Sequence, residues 1–314
     1  MRTEAIFRVR GTAHRLGLRT WIMGVVNVTP DSFYDGGRYT DPERAVEHGL
    51  ELAAEGADIL DVGGESTRPG SDSVPAADEL GRVVPVIAGL RRRASVLISV
   101  DTSKPEVAEA ALDAGADIIN DITAGEGSGR RVLGLAARRE AGFVLMHMQG
   151  TPRTMQDRPG YEDVVGEIRA FFAARLDAAR ACGLPAESIV LDPGIGFGKR
   201  QQDNLALIDR LGAFADLGRP LLVGPSRKGF IGRVLDLSSA DDRLEGTIAA
   251  AVVAVLRGAH MLRVHDVRAV RRAVLVAEAI AGGAPAAAEA PGAESAALER
   301  DRAGAVREGA GRVR

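Results

Sequence analysis

The chain has 314 residues, a formal net charge of −3 and one cysteine. A charge this close to neutral argues against a nucleic-acid-binding protein, and one cysteine excludes both an internal disulfide and a multi-cysteine zinc site. Hydrophobic residues make up 46% of the chain and aromatic residues only 4%, so the core must be aliphatic. We expect a cytoplasmic protein, because no apolar stretch reaches the ~20 residues of a membrane span and the N-terminus lacks a secretory signal.

The two ends of the chain differ in composition from its middle. The segment FRVRGTAHRL alternates around Gly11 and predicts a short β-hairpin within residues 1–19. Residues 283–314 consist mainly of Ala, Gly, Glu, Arg and Pro and have little to contribute to a core. We expect this tail to be disordered, apart from a short helix near Glu294–Arg302, and we expect the folded region to span residues 20–282.

One unit recurs eight times between these ends: a short apolar run, a loop containing Gly or Asp, and a helical pattern. The predicted strands are residues 21–26, 57–62, 97–101, 117–121, 142–148, 189–193, 220–224 and 261–265. Strands that alternate with helices pair in parallel, and eight such units predict an α/β fold of the (β/α)8 TIM-barrel type. A doubly wound open sheet is the structural alternative.

Polar side chains stand at the ends of the predicted strands, where the active sites of such barrels lie. They are Asn27, Asp61, Asp101, Asn120, Asp192, Arg263 and His265. Because side chains alternate along a strand, Asp61 shares a face with Ile59 and Gly63, and Asp101 shares one with Ser99. We expect this face to be the barrel interior, where carboxylates and amides would be costly without a ligand.

Capping of the following helix is the structural alternative for each of these residues. It suits Asp192, because Asp-Pro-Gly is a turn signal in its own right. It does not suit Asp101, because Thr102 or Ser103 would be a better N-cap for a helix with Pro105 in its first turn. Taken singly, each residue is more often structural than catalytic, but seven of them at matching strand ends favour a binding site.

Three further segments bear on the chemistry. The loop GGESTRPG, residues 63–70, combines hydroxyls with Arg68 and would suit an anion. The loop GPSRKG, residues 224–229, follows the seventh predicted strand, where such barrels often hold phosphate, although its two basic residues would also fit an ordinary surface. In VLMHMQG, Met146 lies on the core-like face, and we expect His147 to be structural because no second metal ligand lies at suitable spacing.

Seven motifs, in the expected order, resemble those of the bacterial dihydropteroate synthases, a family of pterin-binding TIM barrels. They are MGVVNVTPDSFYDGG, DVGGESTRPG, SVDTSKPEVAEAALDAGADIINDI, LMHMQGTPRTMQ, LDPGIGFGK, GPSRKGFIG and LRVHDV. The resemblance runs from about residue 7 to residue 281. It implies an enzyme that joins 6-hydroxymethyl-7,8-dihydropterin diphosphate to 4-aminobenzoate, gives 7,8-dihydropteroate, and releases pyrophosphate with the help of Mg²⁺.

The resemblance also implies which residues meet each part of the substrates. The pterin would contact Asp101, Asn120, Met146, Asp192, Phe197, Lys228 and Arg263. The diphosphate would lie against Asn27, Thr67, Arg263 and His265, with Asn27 as the Mg²⁺ ligand, an amide oxygen being a ligand that Mg²⁺ accepts beside phosphate oxygens. The 4-aminobenzoate would lie among Phe33, Thr67, Arg68, Pro69 and Ser226. The catalytic group would comprise Asp101, Arg263, His265, Lys228 and Arg68.

A mechanism and an assembly follow from the same resemblance. Loss of the diphosphate would leave a cation on the exocyclic carbon of the pterin, and Asp101 would stabilise it. The weakly basic aromatic amine would then attack in an SN1-like step, with no side-chain nucleophile. The glycine-rich loop after Asn27 would close, with STRPG, over the departing pyrophosphate. We expect a homodimer formed through helices far from this site.

Two other functions fit parts of the pattern. A pterin methyltransferase that works with a corrinoid protein would share the pterin-reading Asp and Asn, but we would not expect ESTRPG and SRKG together. A non-catalytic pterin-binding paralogue would be expected to lack some of the catalytic and anion-binding side chains, all of which are present here. Two segments depart from the family pattern: Asp203 stands where many members have His, and TAGEGSGRR follows the fourth predicted strand.

Overall fold

Ten β-strands and nine α-helices form the regular structure of residues 3–29 and 41–282, the part of the chain that the computed structural model describes. The strands are β1 Ala5–Val9, β2 Thr12–Leu16, β3 Trp21–Asn27, β4 Ile59–Gly63, β5 Leu97–Asp101, β6 Ile118–Asp121, β7 Gly142–Met146, β8 Ile189–Asp192, β9 Leu222–Val223 and β10 Met261–Val264. The helices are α1 Pro42–Ala54, α2 Ala76–Arg93, α3 Pro105–Ala114, α4 Arg131–Arg138, α5 Val164–Ala181, α6 Gln201–Asp209, α7 Gly229–Leu235, α8 Leu244–Leu256 and α9 Val267–Ile280.

The eight strands from β3 to β10 form the predicted barrel. They pair in parallel in the order β8-β7-β6-β5-β4-β3-β10-β9. A bridge between Leu191 and Leu221 joins the two edge strands, and the Leu191 N–H donates to the Pro220 carbonyl at 2.9 Å. The sheet therefore closes, which confirms the TIM-barrel prediction against an open sheet. Each strand boundary lies within two residues of its predicted position.

Side-chain alternation divides the barrel residues into two buried layers. Outward-facing residues such as Leu60 and Leu262 pack beneath the helices in the main hydrophobic cluster. Inward-facing residues such as Ile59 and Val144 form a separate cluster inside the barrel. Because both faces are covered, the strands read as nearly continuous apolar runs in the sequence. The helices end as the sequence predicts in places; for example, α3 is followed by a left-handed Gly115 with φ 113°.

The N-terminal hairpin closes one end of the barrel. β1 and β2 pair in antiparallel fashion around Arg10 and Gly11, both of which have positive φ angles. Phe7, Val9 and Leu16 are at most 1% exposed and pack into the inner cluster. The predicted hairpin is confirmed, and its apolar side chains fill the interior at the N-terminal ends of the strands. The interior is left open for polar chemistry at the other end.

The start of α3 differs from the prediction. Lys104 is the N-cap residue and its side chain makes no capping hydrogen bond, so the prediction of Thr102 or Ser103 as N-cap is wrong. Thr102 Oγ1 instead accepts from the Lys104 N–H at 3.2 Å, which fixes the approach to the helix. Pro105 occupies the first turn as predicted. Asp101 has no role in this cap.

Some predictions fall on residues outside the described ranges. They concern Phe33, most of the glycine-rich loop after Asn27, and the tail 283–314 with its predicted short helix. Within the described ranges, every helix is too short or too polar to span a membrane.

Candidate active site

Inward-facing polar side chains meet at the open end of the barrel. Arg263 on β10 reaches across the interior: its Nε donates to Asp61 Oδ2 at 2.6 Å and its Nη2 donates to Asp101 Oδ2 at 2.8 Å. Asn120 on β6 donates from Nδ2 to the same Asp61 oxygen at 3.0 Å. The predicted interior face is therefore confirmed for residues on β4, β5, β6 and β10. We call Asp61, Asp101, Asn120 and Arg263 the polar layer.

Asp61 lies deeper than the sequence predicts. β4 continues to Gly63, so Asp61 occupies the middle of that strand and pairs in register with Val25 and Ser99. Its side chain is 0% exposed. Asp61 is thus a buried carboxylate beneath the site, and the prediction that it stands at a strand end is wrong by two residues.

The charged groups of the polar layer shift one another's pKa values. Burial raises the pKa of Asp101 to about 7, although the Arg263 guanidinium acts to lower it. Burial alone would lower the pKa of Arg263, but the carboxylates of Asp61 and Asp101 outweigh it and hold that pKa above its ordinary value. Near neutral pH, Arg263 therefore stays charged while Asp101 is close to its titration midpoint.

Asp192 ends β8 at the same opening. Its Oδ1 accepts from the Gly194 N–H at 2.7 Å, so the Asp-Pro-Gly turn does use this carboxylate, as its structural alternative predicts. Burial raises the pKa of Asp192 to about 6, and the Gly194 N–H and the Lys228 charge partly offset the rise. Asp192 Oδ1 therefore stabilises the turn, while the buried carboxylate as a whole also interacts with the charge of Lys228.

An apolar slot flanks the carboxylates. Met146, Met155 and Phe197 form a small cluster of their own. Lys228 Nζ lies 4.1 Å from the centroid of the Phe197 ring, a cation–π contact. Burial lowers the pKa of Lys228 to about 8, and the positive charge of Arg263 adds to the effect. Three predicted pterin residues, Met146, Phe197 and Lys228, therefore belong to one environment.

A buried lysine, Lys199, went unrecognised in the sequence. It is 1% exposed, and its Nζ lies 2.9 Å from the Phe197 carbonyl and 3.1 Å from His147 Nδ1. Burial lowers its pKa to about 7. Lys199 joins the loop after β8 to the end of β7, and His147 is the structural histidine that we predicted. The glycines of PGIGFGK could have indicated that this loop packs closely against the end of β7. A Cβ on Gly194 would lie 2.0 Å from the His147 carbonyl oxygen.

Ser226 and His265 form the side of the site next to Arg263. Ser226 Oγ lies 2.9 Å from His265 Nδ1 and accepts from the His265 N–H at 3.2 Å. Burial, followed by the positive charges of Arg263 and Arg227, lowers the pKa of His265 to about 3. His265 is therefore neutral at physiological pH, and it can offer a ring N–H to an anion but not a positive charge.

The two basic residues of GPSRKG have separate roles. Arg227 Nη2 donates to Asp266 at 2.7 Å and its Nη1 donates to Asp241 at 3.0 Å. Both carboxylates are bound by this guanidinium, so the alternative of an ordinary basic surface residue is right for Arg227. An ordinary surface role is wrong for Lys228, which is half-buried and has its Nζ over the Phe197 ring.

The loop after β4 lies at the rim of the opening. Thr67 is half-buried, whereas Arg68 and Pro69 are exposed. The Gly70 N–H donates to the Pro152 carbonyl at 2.9 Å, which ties this loop to the one after β7. The structure does not bring Thr67, Arg68 or Pro69 into the polar layer.

Asn27 ends β3 and is the predicted metal ligand. It is half-buried and pairs in register with Gly63. The described residues contain no group of three or more His, Cys, Asp or Glu side chains that could hold a metal. A single amide oxygen at a strand end fits Mg²⁺ only if phosphate oxygens and water complete its coordination, which is a common arrangement for this ion.

Comparison with known proteins gives the family. The pterin binding enzyme family matches residues 23–265, nearly the whole barrel. The dihydropteroate synthase of Synechocystis sp. is 46% identical over 264 residues, which is 84% of this chain and 91% of that protein. The chain belongs to the dihydropteroate synthase family. A Xanthomonas albilineans dihydropteroate synthase with 4-aminobenzoic acid superposes with a TM-score of 0.82 at 46% identity, covering 89% of this chain and 99% of that chain. A second, in complex with 7,8-dihydropteroate, gives 0.77 at 43%, covering 87% and 98%.

The two departures from the dihydropteroate synthase pattern have structural roles away from the polar layer. Asp203 Oδ2 accepts from the Arg200 backbone N–H at 2.8 Å at the start of α6, and the Arg200 Nε donates to the same oxygen at 2.8 Å. The loop after β6 is held by Asp121, whose Oδ2 accepts from the Gly125 N–H at 2.7 Å, and by Arg175, whose Nε donates to the Ala124 carbonyl at 3.1 Å.

Proposed function

We propose that this chain condenses 6-hydroxymethyl-7,8-dihydropterin diphosphate with 4-aminobenzoate to give 7,8-dihydropteroate and pyrophosphate. One observation carries the proposal: a hydrogen-bonded layer of two carboxylates, an amide and a guanidinium at the open end of a barrel of the dihydropteroate synthase family. Such a layer presents fixed hydrogen-bonding groups to a flat, polar heterocycle in a site of low dielectric. The Xanthomonas structures with 4-aminobenzoic acid and 7,8-dihydropteroate support these substrates.

The test is an assay of pyrophosphate and dihydropteroate formation with and without 4-aminobenzoate. We expect dihydropteroate to appear only when both substrates are present, with one pyrophosphate per product. Tight binding of the pterin diphosphate with no product would favour the non-catalytic paralogue instead. Methyl transfer to a corrinoid protein would favour the methyltransferase.

Pterin recognition would rest on polar side chains that are largely shielded from water and held in place by other protein groups. A buried carboxylate accepts strongly from paired N–H donors, so Asp192 and Asn120 would read the amino–oxo edge. Lys228 would donate to the oxo group and a ring nitrogen, and Met146 and Phe197 would line the faces of the slot. The Arg263 guanidinium, held by two carboxylates, would stack over the ring.

Catalysis would follow from the placement of charge. Arg263 and the neutral His265 would donate to the diphosphate as it leaves, and Asp101 would lie against the cation that forms on the exocyclic carbon. Mg²⁺ bound at Asn27 would neutralise negative charge on the leaving group. Thr67, Arg68, Pro69, Ser226 and Phe33 would surround 4-aminobenzoate, whose amine attacks the cation.

The metal assignment predicts the behaviour of Asn27→Ala. Mg²⁺ should strengthen the binding of pyrophosphate to the wild-type protein by about tenfold or more, and Asn27→Ala should remove most of that gain because the amide oxygen is lost. Isothermal calorimetry with and without Mg²⁺ measures this directly. Binding of a pterin that lacks the diphosphate is the control and should not change. An undiminished Mg²⁺ effect in the variant would place the metal elsewhere.

Arg68→Ala should separate the two substrates. Arg68 lies on the exposed rim loop, outside the polar layer, so the variant should bind the pterin diphosphate normally. The KM for 4-aminobenzoate should rise by about tenfold or more and kcat should fall, because a cation facing the benzoate is lost. Arg92→Ala, which removes an exposed arginine on α2, is the matched control. Poor pterin binding with normal 4-aminobenzoate kinetics would contradict this role.

We infer that the protein is a homodimer formed through α8 and α9. Leu256, Val276 and Ile280 on these helices are 51%, 61% and 82% exposed. Exposed apolar side chains on neighbouring helices are typical of a surface that a partner covers. A second copy of this chain would cover them, on the outside of the barrel and away from the polar layer.

The dimer predicts that Val276→Glu with Ile280→Glu yields a monomer. Buried carboxylates at an apolar interface are costly, so light scattering should give half the mass of the wild type. Val234→Glu alters an equally exposed residue on α7 and should leave the mass unchanged. A wild-type protein that is monomeric at assay concentrations would refute the inference.

A further inference from the structure

Asp61 is the most deeply buried member of the polar layer. It is 0% exposed, and its Oδ2 accepts both from Arg263 Nε at 2.6 Å and from Asn120 Nδ2 at 3.0 Å. Its Oδ1 is also buried and has no hydrogen-bond partner among the described residues. Ser99 faces it in register on β5, and the Ser99 hydroxyl is likewise buried without a partner in the described structure.

Stability does not explain a carboxylate in this position. A buried ion pair is often no more stabilising than a well-packed apolar pair of the same size, and a half-satisfied carboxylate is worse. The surrounding interior is filled below with apolar side chains such as Ile59 and Val144, so an apolar residue would suit the barrel core. A costly group kept in the core points to a task other than packing.

The hydrogen bonds of Asp61 show what that task is. A carboxylate only accepts hydrogen bonds, so it holds the NH₂ group of Asn120 and excludes the reversed amide, which would set oxygen against oxygen. The Asn120 carbonyl oxygen and the second N–H of its amide are then left for other partners in a fixed order. By accepting from Arg263 Nε, Asp61 also holds the guanidinium with its Nη2 directed at Asp101.

We propose that Asp61 is a positioning residue that sets the donor–acceptor order of pterin recognition by orienting Asn120 and Arg263. The proposal rests on the proposed function, because the pterin is the ligand to which that order matters. Asp61 acts through its two neighbours. Replacing the carboxylate by an amide keeps its shape but admits either orientation of Asn120 and removes the charge that holds Arg263.

The test compares Asp61→Asn with Asp58→Asn. Asp58 is also a buried carboxylate and immediately precedes β4; it pairs with Arg19 at 2.8 Å and accepts from the Ile22 N–H at 2.8 Å, near the closed end. Both variants should lower the melting temperature. Only Asp61→Asn should weaken binding of the pterin diphosphate, by about tenfold or more. Equal pterin affinity in Asp61→Asn and the wild type would overturn the proposal.

A double-mutant cycle with Asn120→Ala distinguishes positioning from general loosening. If Asp61 works through Asn120, the effect of Asp61→Asn on pterin affinity should be several-fold smaller in the Asn120→Ala background. Fully additive losses would overturn the proposal. A wild-type protein that binds no pterin diphosphate would instead refute the proposed function, so the two failures are distinct.

A measurement on the wild type keeps the proposal testable if Asp61→Asn does not fold. The side-chain NH₂ of Asn120, identified by the loss of its NMR signal in Asn120→Ala, should exchange with solvent at least about tenfold more slowly than exposed asparagine amides. Slow exchange should persist when the pterin diphosphate binds. Fast exchange, or release of the amide from Asp61 on binding, would overturn the proposal.

Discussion

Asp101→Asn should lower kcat by about 10²–10³ while the Kd for the pterin diphosphate changes little, the size expected for one well-placed electrostatic contact. The change keeps the size of the side chain and removes its charge. Arg263 stays anchored, because its Nε still donates to Asp61 at 2.6 Å. The carboxylate matters most once the exocyclic carbon is cationic, so its loss falls on the transition state and not on substrate binding.

Single-turnover kinetics and calorimetry measure the two quantities separately. The pH dependence of kcat/KM gives an independent check, because it reports the pKa values of the free enzyme. The Asp101 carboxyl has a raised pKa of about 7, so its charge is lost as pH falls through 7 and kcat/KM should fall with it. In Asp101→Asn, the fall of kcat/KM at low pH should move towards about 6, because the titration of Asp192, with a pKa of about 6, would then limit activity. A kcat within a few-fold of the wild type, or a loss wholly in pterin binding, would reject the role in stabilising the cation.

Asp192→Ala should abolish measurable pterin affinity. It removes a charge-assisted pair of hydrogen bonds, on the order of 3 kcal/mol or more, and leaves donors of the ligand unpaired in a buried site. That loss corresponds to a Kd more than about a hundredfold weaker. Calorimetric titration with the pterin diphosphate is the measurement. Near-normal binding would show that another group reads this edge of the pterin.

Asp192→Asn separates recognition from the turn. The asparagine can still accept from the Gly194 N–H, the bond that Asp192 Oδ1 makes at 2.7 Å, so the loop should keep its shape. Pterin affinity should nevertheless fall, because the negative charge is gone. In the wild type, affinity should also weaken as pH falls below about 6, where the Asp192 carboxyl becomes protonated. The asparagine variant should lose that pH dependence; if it binds like the wild type, the turn is the main role of Asp192.

The order and type of the barrel elements were predictable from sequence because each barrel strand is an apolar run that ends at a loop. The same alternation assigned Asp101 and Arg263 to the interior before any contact was known. Depth inside the barrel was not predictable, because periodicity gives the face of a strand and not its end. The predicted strand ends at residue 62 and the observed strand ends at Gly63; this shift of one residue, about 3.3 Å along a strand, places Asp61 further below the mouth.

Contacts between distant parts of the chain were also beyond sequence reasoning. Asp61 and Arg263 are 202 residues apart, and no local pattern marks them as partners. Lys199 reads as an ordinary surface lysine, yet carbonyl and imidazole acceptors satisfy it in the interior. The capping preference of Thr102 was overridden because its hydroxyl accepts from the Lys104 N–H before the helix starts.

The hairpin that fills one end of the barrel has a kinetic consequence. Phe7, Val9 and Leu16 pack into the interior at one end, so the described residues leave the polar layer accessible from the other end of the barrel. If one substrate binds at the polar layer and the other at the rim, as we propose, the first must arrive before the second, since the second would block its way. Product that remains in the deep slot must likewise depart after the rim has cleared. Steady-state and product-inhibition patterns should therefore be those of compulsory order, with the pterin diphosphate first to bind and dihydropteroate last to leave.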